Sequence, residues 1–278
     1  MNRDMRVVLA QQTLEIINAG KYLTSSNTEI NISAALENSI NKTVLYRPTD
    51  FPAKFALGKN FADIKVEVTG ETSLEAAARI INLNPDANPL VLNFASAKNP
   101  GGGFQNGSQA QEESLARSSG LYASLTSSME MYYFNRRERS CLYSDHMIYS
   151  PEVPVFRNDD GHLLEKPYLV SFLTSPAPNA GAVKRNEPDN TKFIQPTLAA
   201  RMKKLLWIAA EQQHPTLILG AWGCGVFQNN PAMVANCFAE LLGVGGEFYG
   251  CFAQIVYAVF DRSPDQGALG AFERVLNV

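Results

Sequence analysis

Residues 90–114 read LVLNFASAKNPGGGFQNGSQAQEES. The first five, Leu90 to Phe94, form a compact apolar run of strand length, and the run breaks into a loop at Ala95. Gly101, Gly102 and Gly103 let a backbone approach a ligand without Cβ atoms and turn several N–H groups one way, an arrangement suited to oxyanions. Ser108 and Gln111 then have the S-x-x-Q spacing of a capping box, which predicts a helix whose first turn carries Gln111, Glu112 and Glu113. Strand, glycine loop and helix follow one another within 25 residues. The same order recurs at Leu217–Leu219, where a short apolar run ends in GAWGCGVFQNN and Pro231 suits the first position of the helix AMVANCFAELL. Ligands of α/β sheets bind beyond the carboxyl ends of strands, so both loops are expected at one crevice.

The text on either side repeats the alternation. Ile64, Val66 and Val68 alternate with polar residues, and Thr72-x-x-Glu75 is a capping box opening a helix through Ile81. Gln254–Phe260 is rich in β-formers and leads to a last helix near Leu269–Leu276. The chain therefore reads as a three-layer α/β/α fold with a mixed, largely parallel central sheet. At the start, Val7, Leu9, Ala10, Leu14 and Ile17 lie close to helical period over residues 5–19, and Gly20 is a natural stop. Residues 21–60 are mixed, but Tyr46, Phe51, Phe55 and Phe61 are too apolar for a free linker. We read 1–60 as a helical extension packed on a catalytic body spanning 61–278. The aromatic- and proline-rich stretch from Tyr132 to Pro188 reads as an ordered insertion with one strand, Tyr168–Thr174.

Composition narrows the function. The chain has 278 residues, 45% hydrophobic and only 18% charged, with a formal net charge of −3. Its pI near 5.7 argues against a basic footprint for duplex nucleic acid and favours a small ligand. Cys141, Cys224, Cys237 and Cys251 form no C-x-x-C pair and suit a reducing cytoplasm. The first twenty residues lack a signal peptide's cleavage pattern. No apolar run approaches the roughly 18 residues of a membrane span. The three histidines, His146, His162 and His214, have no partner at metal-ligand spacing, so no metal is expected. Gly102-x4-Gly107 has Walker spacing, but Ser108 and Gln109 stand where Lys and Ser/Thr belong. Gly101-x-Gly103-x-x-Asn106 lacks the third glycine of a dinucleotide fingerprint. No G-x-S-x-G occurs.

Two adjacent acids beside a phosphate-like ligand would repel it and each other. Successive helical residues point about 100° apart, so Glu112 and Glu113 cannot aim at one atom and must differ in role. Taken alone, GGG is a loop needing positive φ, and Glu112-Glu113 a dipole-stabilised helix start. Two glycine loops after two strands favour a site.

The GGG, short spacer and QEE pattern, together with VLNFASAKNPGGG, QEESLARSSGLY, SPEVPVF and LGAWGCGVFQNNP, resembles the microbial-type poly(ADP-ribose) glycohydrolases over about residues 90–260. The resemblance implies a macrodomain-like fold that hydrolyses ribose–ribose O-glycosidic bonds and releases ADP-ribose, without a cofactor. It implies that Gly101, Gly102 and Gly103 hold the diphosphate, that Glu113 is the acid/base and that Glu112 fixes the ribose hydroxyls. Asn99 and Gln111 join the expected ADP-ribose contacts, with Gly223, Cys224, Gly225, Val226 and Phe227 closing over the phosphates. Paired glycosidase carboxyls stand at least ~5 Å apart across the scissile bond, which adjacent helical acids do poorly. One acid is therefore expected to serve twice, first as acid and then as base. Arg117, four residues after Glu113, would hold Glu113 ionised if they paired, so it is expected to point elsewhere. Phe227 reads either as core or as a wall against the ribose, and the resemblance favours the wall. Cys224 reads as a loop filler and His146 as a hydrogen-bonded loop residue. One tyrosine between Tyr122 and Tyr149 is a candidate for stacking on adenine. The expected partners are ADP-ribose polymer or ADP-ribosylated proteins, bound by a monomer. Two rival readings fit the same residues: a macrodomain that binds ADP-ribose without cleaving it, and a hydrolase of O-acyl-ADP-ribose.

Overall fold

The computed structural model describes residues 1–58 and 60–277. In chain order the elements are α1 (Arg3–Ala19), β1 (Lys21–Leu23), β2 (Glu29–Asn31), α2 (Ser33–Asn41), β3 (Val44–Tyr46), β4 (Lys65–Thr69), α3 (Ser73–Leu83), β5 (Pro89–Phe94), α4 (Gln111–Ser118), α5 (Leu121–Thr126) and α6 (Glu130–Arg137). The second half continues with β6 (Met147–Arg157), β7 (Leu163–Ser175), α7 (Ala180–Asn186), α8 (Ile194–Glu211), β8 (Thr216–Leu219), α9 (Pro231–Leu242), β9 (Gln254–Ala258) and α10 (Gly267–Leu276).

Seven strands form one sheet in the order β3-β6-β7-β5-β8-β9-β4. β7, β5, β8, β9 and β4 run parallel, while β6 runs against both of its neighbours. The sheet is mixed and largely parallel, as the alternating strand and helix patterns predict. Its central strands are buried on both faces, which is why they read as continuous apolar runs. Leu90 and Leu92 face a core shared with Leu198, Met202, Leu205, Val234, Phe238 and Phe272 of α8, α9 and α10. Between them, Val91 faces a second core with Leu74, Ala77 and Ile80 of α3, and Leu115, Leu121 and Met131 of the helices that follow the glycine loop. Leu217 and Leu219 against Ile218 repeat this division, as do Ile255 and Tyr257 against Val256. Three layers follow directly from that period of two.

Local signals hold well. Thr72 and Glu75 form the reciprocal capping box at the start of α3, Pro231 opens α9, and Gly20 ends α1 with its N–H on the Ile16 carbonyl. Two expectations are corrected. The insertion contains two long antiparallel strands rather than the single strand Tyr168–Thr174. β6 was hidden by Pro151 and Pro154, since proline has no N–H for a ladder. β3 covers only Met147–Tyr149 of β6, and a register shift falls between Ser150 and Val153, so both prolines lie past the β3 pairing. The second correction concerns the expected Ser108–Gln111 box: α4 starts at Gln111 with Ala110 as its cap and no side-chain capping bond.

Within residues 1–60, β3 joins the edge of the main sheet and α1 packs behind the glycine loop. Thr13 Oγ1 donates to the Arg117 carbonyl at 2.6 Å, Arg6 Nε to the Gly107 carbonyl at 2.7 Å and Arg3 Nε to the Asn106 carbonyl at 3.1 Å. Ala10 and Leu14 pack with Phe104 and Ala116. The first helix thus buttresses the segment that carries GGG and QEE. No helix among the described residues is long and apolar enough to cross a membrane.

Candidate active site

A cleft of about 1200 Å³ opens beyond the carboxyl ends of β5, β8 and β9. Its walls include Asn99, Gly102, Gly103, Gln111, Glu112 and Glu113 from the first glycine segment, and Gly223, Cys224, Gly225, Val226 and Phe227 from the second. Every sequence-level candidate except Gly101 lines it. Gly101 is buried behind the wall, where a Cβ would lie 3.0 Å from the Phe104 ring and 3.2 Å from Ala116.

The first loop is built around the acids. Gly103 N–H donates to Glu113 Oε1 at 2.9 Å, and Gly102 N–H donates to the Asn99 carbonyl at 3.0 Å. Gly102 has φ +59°, and a Cβ on it would sit 2.4 Å from Glu113 Oε1 and 3.1 Å from Glu112 Oε2. Glycine is required here because the backbone lies against two carboxyl groups. The Gly102 and Gly103 N–H groups are thus turned toward the protein's own oxygens.

The two acids differ as their 100° separation predicts. Glu112 is 3% exposed; its Oε2 accepts the Ser96 N–H at 2.6 Å, and its Oε1 is buried without a partner among the described residues. Burial pushes its carboxyl well above the usual range, and the charge of Glu113 adds to the rise, against the opposing pull of Ser96 N–H, Asn93 and Gly101 N–H. Glu113 is half-buried in the cleft wall. Arg117 turns away from it: the guanidinium donates to the Ser108 carbonyl at 2.9 Å, Gln109 Oε1 at 2.5 Å and Ser114 Oγ at 3.3 Å. Gln111 reaches the cleft, but its amide ties α4 to the strand end. Its Oε1 accepts Phe94 N–H at 2.8 Å, and its Nε2 donates to the Leu92 carbonyl at 2.7 Å and Ser73 Oγ at 3.0 Å. Those bonds compete with any cap to Ser108, which accounts for the missing box.

The second loop offers what the first does not. The N–H groups of Gly225, Val226 and Phe227 make no hydrogen bond among the described residues. The loop is pinned from behind by buried Asn229, whose Nδ2 donates to the carbonyls of Pro178 at 2.8 Å and Gly223 at 3.0 Å, and by Trp222 Nε1 on the Ser175 carbonyl at 3.0 Å. Gly223 has φ +72°, and a Cβ would meet Ala177 and Asn229 at 2.5 Å. Phe227 is half-buried, its ring 5.8 Å from that of Tyr143. Buried Arg201 fixes the segment carrying Tyr143, with Nη2 on the Leu142 and Tyr143 carbonyls at 3.0 Å and Nε on Asp145 at 2.8 Å. Burial pushes the Cys224 thiol up to about 12, which disfavours the reactive thiolate. His146 bonds Ser144 through Nδ1 at 2.9 Å and packs on Phe134.

Sequence reasoning missed much of the cleft's length. Ser73 and Glu75 at the start of α3, Asp159 and Asp160 at the β6–β7 turn, Phe260 to Arg262 after β9, and Arg136 of α6 all line it. They come from segments with no common motif, and only their topology brings them together. No group of three or more His, Cys, Asp or Glu side chains placed to hold a metal ion occurs among the described residues.

Residues 10–158 match the family described as microbial-type PARG, catalytic domain. Among solved structures, the poly(ADP-ribose) glycohydrolase of Thermomonospora curvata is 46% identical, with 98% of this chain and 100% of that one covered and a TM-score of 0.91. The form from that organism bound to the inhibitor ADP-HPD is 47% identical, covering 98% and 99%, with a TM-score of 0.90. The poly(ADP-ribose) glycohydrolase of Deinococcus radiodurans in complex with ADP-ribose is 45% identical, covering 87% and 96%, with a TM-score of 0.79. A comparison with curated proteins finds no match.

Proposed function

We propose, for a chain that belongs to the microbial-type poly(ADP-ribose) glycohydrolase family, that this cleft holds the terminal ADP-ribose of a polymer and hydrolyses its ribose–ribose O-glycosidic bond with Glu113 as the acid and base. The observation that carries the reading is the held carboxyl: Glu113 Oε1 accepts the Gly103 N–H inside the cleft, next to a Glu112 whose burial pushes its carboxyl pKa up. A module that only binds ADP-ribose has no use for such an arrangement.

The diphosphate fits the free N–H groups of Gly225, Val226 and Phe227, an anion nest of three successive backbone donors. The glycines of the first loop then serve by letting the reacting ribose and both carboxyls approach closely. Phe260 after β9 and Glu113 of α4 line the same cleft, and we place the base toward Phe260 with the scissile ribose beside Glu113. Phe227 forms the wall that sets the ribose pose.

Glu113 in its protonated form gives its proton to the leaving ribose oxygen as the C–O bond opens toward an oxocarbenium-like centre. The bound diphosphate stabilises that cation. Water then adds to the carbon and returns its proton to Glu113, which restores the enzyme. Glu112 hydrogen-bonds the ribose hydroxyls, and burial, by favouring its neutral form, lessens its repulsion of the diphosphate. These steps use no metal or cofactor. We place the protein in the cytoplasm, a reading supported by four free cysteines, take it as a monomer, and treat residues 1–60 as an extension of a catalytic body at 61–278.

The test is release of ADP-ribose from labelled polymer. Polymer left intact while O-acyl-ADP-ribose is hydrolysed would favour the esterase, and binding without cleavage of either would favour a reader module.

A further inference from the structure

The cleft does not end at Glu113. Arg136 lines both it and an adjoining open depression of about 650 Å³ whose other walls are Glu130, Tyr133 and Arg137. The chain here reads Arg136-Arg137-Glu138-Arg139, all four exposed, a concentration of positive charge on a protein whose net charge is −3. None of the three arginines forms an ion pair among the described residues. The one acid on the wall, Glu130, is already compensated: Arg47 donates to both of its oxygens at 2.7 Å. Arg136 Nε donates to the Lys98 carbonyl at 2.7 Å, which fixes the patch beside the loop carrying Asn99 and the glycine triplet. Its guanidinium lies 5.7 Å from the ring centroid of Tyr133, a side chain 53% exposed.

We propose that this depression is a subsite for the next ADP-ribose unit of the polymer, the unit whose ribose oxygen leaves when Glu113 delivers its proton. The inference rests on the reading of the main cleft given above. The leaving unit departs from beside Glu113, and the patch opens off the same cleft through the shared Arg136. It carries a diphosphate and a planar base on the ribose that departs. Guanidinium forks match phosphate oxygens in pairs, and an exposed aromatic face accepts any base. Arg136 and Arg137 take the diphosphate and Tyr133 takes the base. Contacts of this exposed kind hold the chain long enough for cleavage and release it one unit shorter.

The experiment uses the Glu113→Gln chain, so that ligands stay intact, and compares labelled ADP-ribose with labelled ADP-ribose oligomers by fluorescence anisotropy. Adding Arg137→Glu or Tyr133→Ala is expected to weaken oligomer binding about fivefold or more, the scale of one stacked base or one phosphate contact, and to leave ADP-ribose binding unchanged. Arg137→Gln is expected to make the slope of log Kd against log salt shallower by about 0.7 for the oligomer. Oligomer affinity within twofold of the parent in both variants, with normal melting curves, overturns the subsite while leaving the main cleft's assignment intact. Equal weakening of oligomer and ADP-ribose also overturns it, by assigning these residues to the main cleft. A single-stranded oligoadenylate that competes as well as the oligomer makes the patch a nucleic-acid surface instead. Failure of the unmodified chain to bind ADP-ribose overturns the reading of the cleft, and the subsite with it.

Discussion

Gly102→Ala tests the site where it is tightest. A Cβ at this position would lie 2.4 Å from Glu113 Oε1, 2.9 Å from Glu113 Cδ and 3.1 Å from Glu112 Oε2, on a backbone with φ +59°. The left-handed conformation alone costs alanine about 1–2 kcal/mol. Reaching ordinary contact requires the Glu113 carboxyl to retreat by about 1 Å, which breaks its 2.9 Å bond from Gly103 N–H. A displacement of that size at a reacting group is worth on the order of 10²-fold in rate. The expected result is turnover reduced about a hundredfold with a melting temperature only a few degrees lower, since ~1 kcal/mol shifts Tm by about 2–4 °C in a chain of this size. Gly245→Ala is the control. Its φ is +83° but no atom lies within 4 Å of the added Cβ, so it carries the backbone cost without the collision. Both variants are measured by ADP-ribose release from labelled polymer and by thermal melts. If Gly102→Ala cleaves within a few-fold of the unmodified rate while melting like Gly245→Ala, Glu113 does not react from the position Gly103 holds it in.

Three more predictions address single side chains. Glu113→Gln keeps size and hydrogen bonding but cannot exchange a proton, so rate should collapse while ADP-ribose affinity measured by calorimetry stays within a few-fold; near-normal cleavage would remove Glu113 from the acid/base role. Glu112→Gln should lower turnover and raise stability. Folding raises this carboxyl's pKa, so its contribution is fully present below the unfolded carboxylate range and is lost as pH rises through the folded value. The variant should therefore melt higher than the parent at neutral pH and lose that advantage in acid; a Tm difference independent of pH would show that Glu112 is not held neutral. Phe227→Ala should slow turnover by removing the ribose wall and leave the melting curve close to normal, because the ring is only half-buried; unchanged kinetics would return Phe227 to a packing role.

The fold was legible wherever its cause is local. Leu90 to Leu92 alternate between two cores within one apolar run, Thr72 and Glu75 cap each other across one turn, and Pro231 needs only its own missing N–H. β6 was illegible because the signal against it, Pro151 and Pro154, is local, while what permits it is the shortness of β3 and a register shift against β7. The site divides in the same way. GGG, QEE and the loop from Gly223 to Phe227 are contiguous and announce themselves. Phe260, Asp159, Tyr133 and Arg136 reach the cleft or its margin only because strand order places their segments there.

In the glycine triplet two N–H groups meet the protein's own oxygens. From sequence its N–H groups belong to a ligand oxyanion, yet Gly103 donates to Glu113 and Gly102 to Asn99, while free donors stand in the other loop at Gly225 to Phe227. One physical requirement ties these facts together. An anionic ligand tolerates adjacent acids better when they do not both carry charge, and burial of Glu112 favours that condition while leaving Oε1 without a partner among the described residues. The backbone must then come close enough to fix Glu113 over its buried neighbour, a distance at which no Cβ fits. Removing the burial or filling Gly102 breaks the same arrangement from opposite sides. Glu112→Gln should therefore raise the melting temperature at neutral pH, whereas a methyl group on Gly102 should act chiefly on rate.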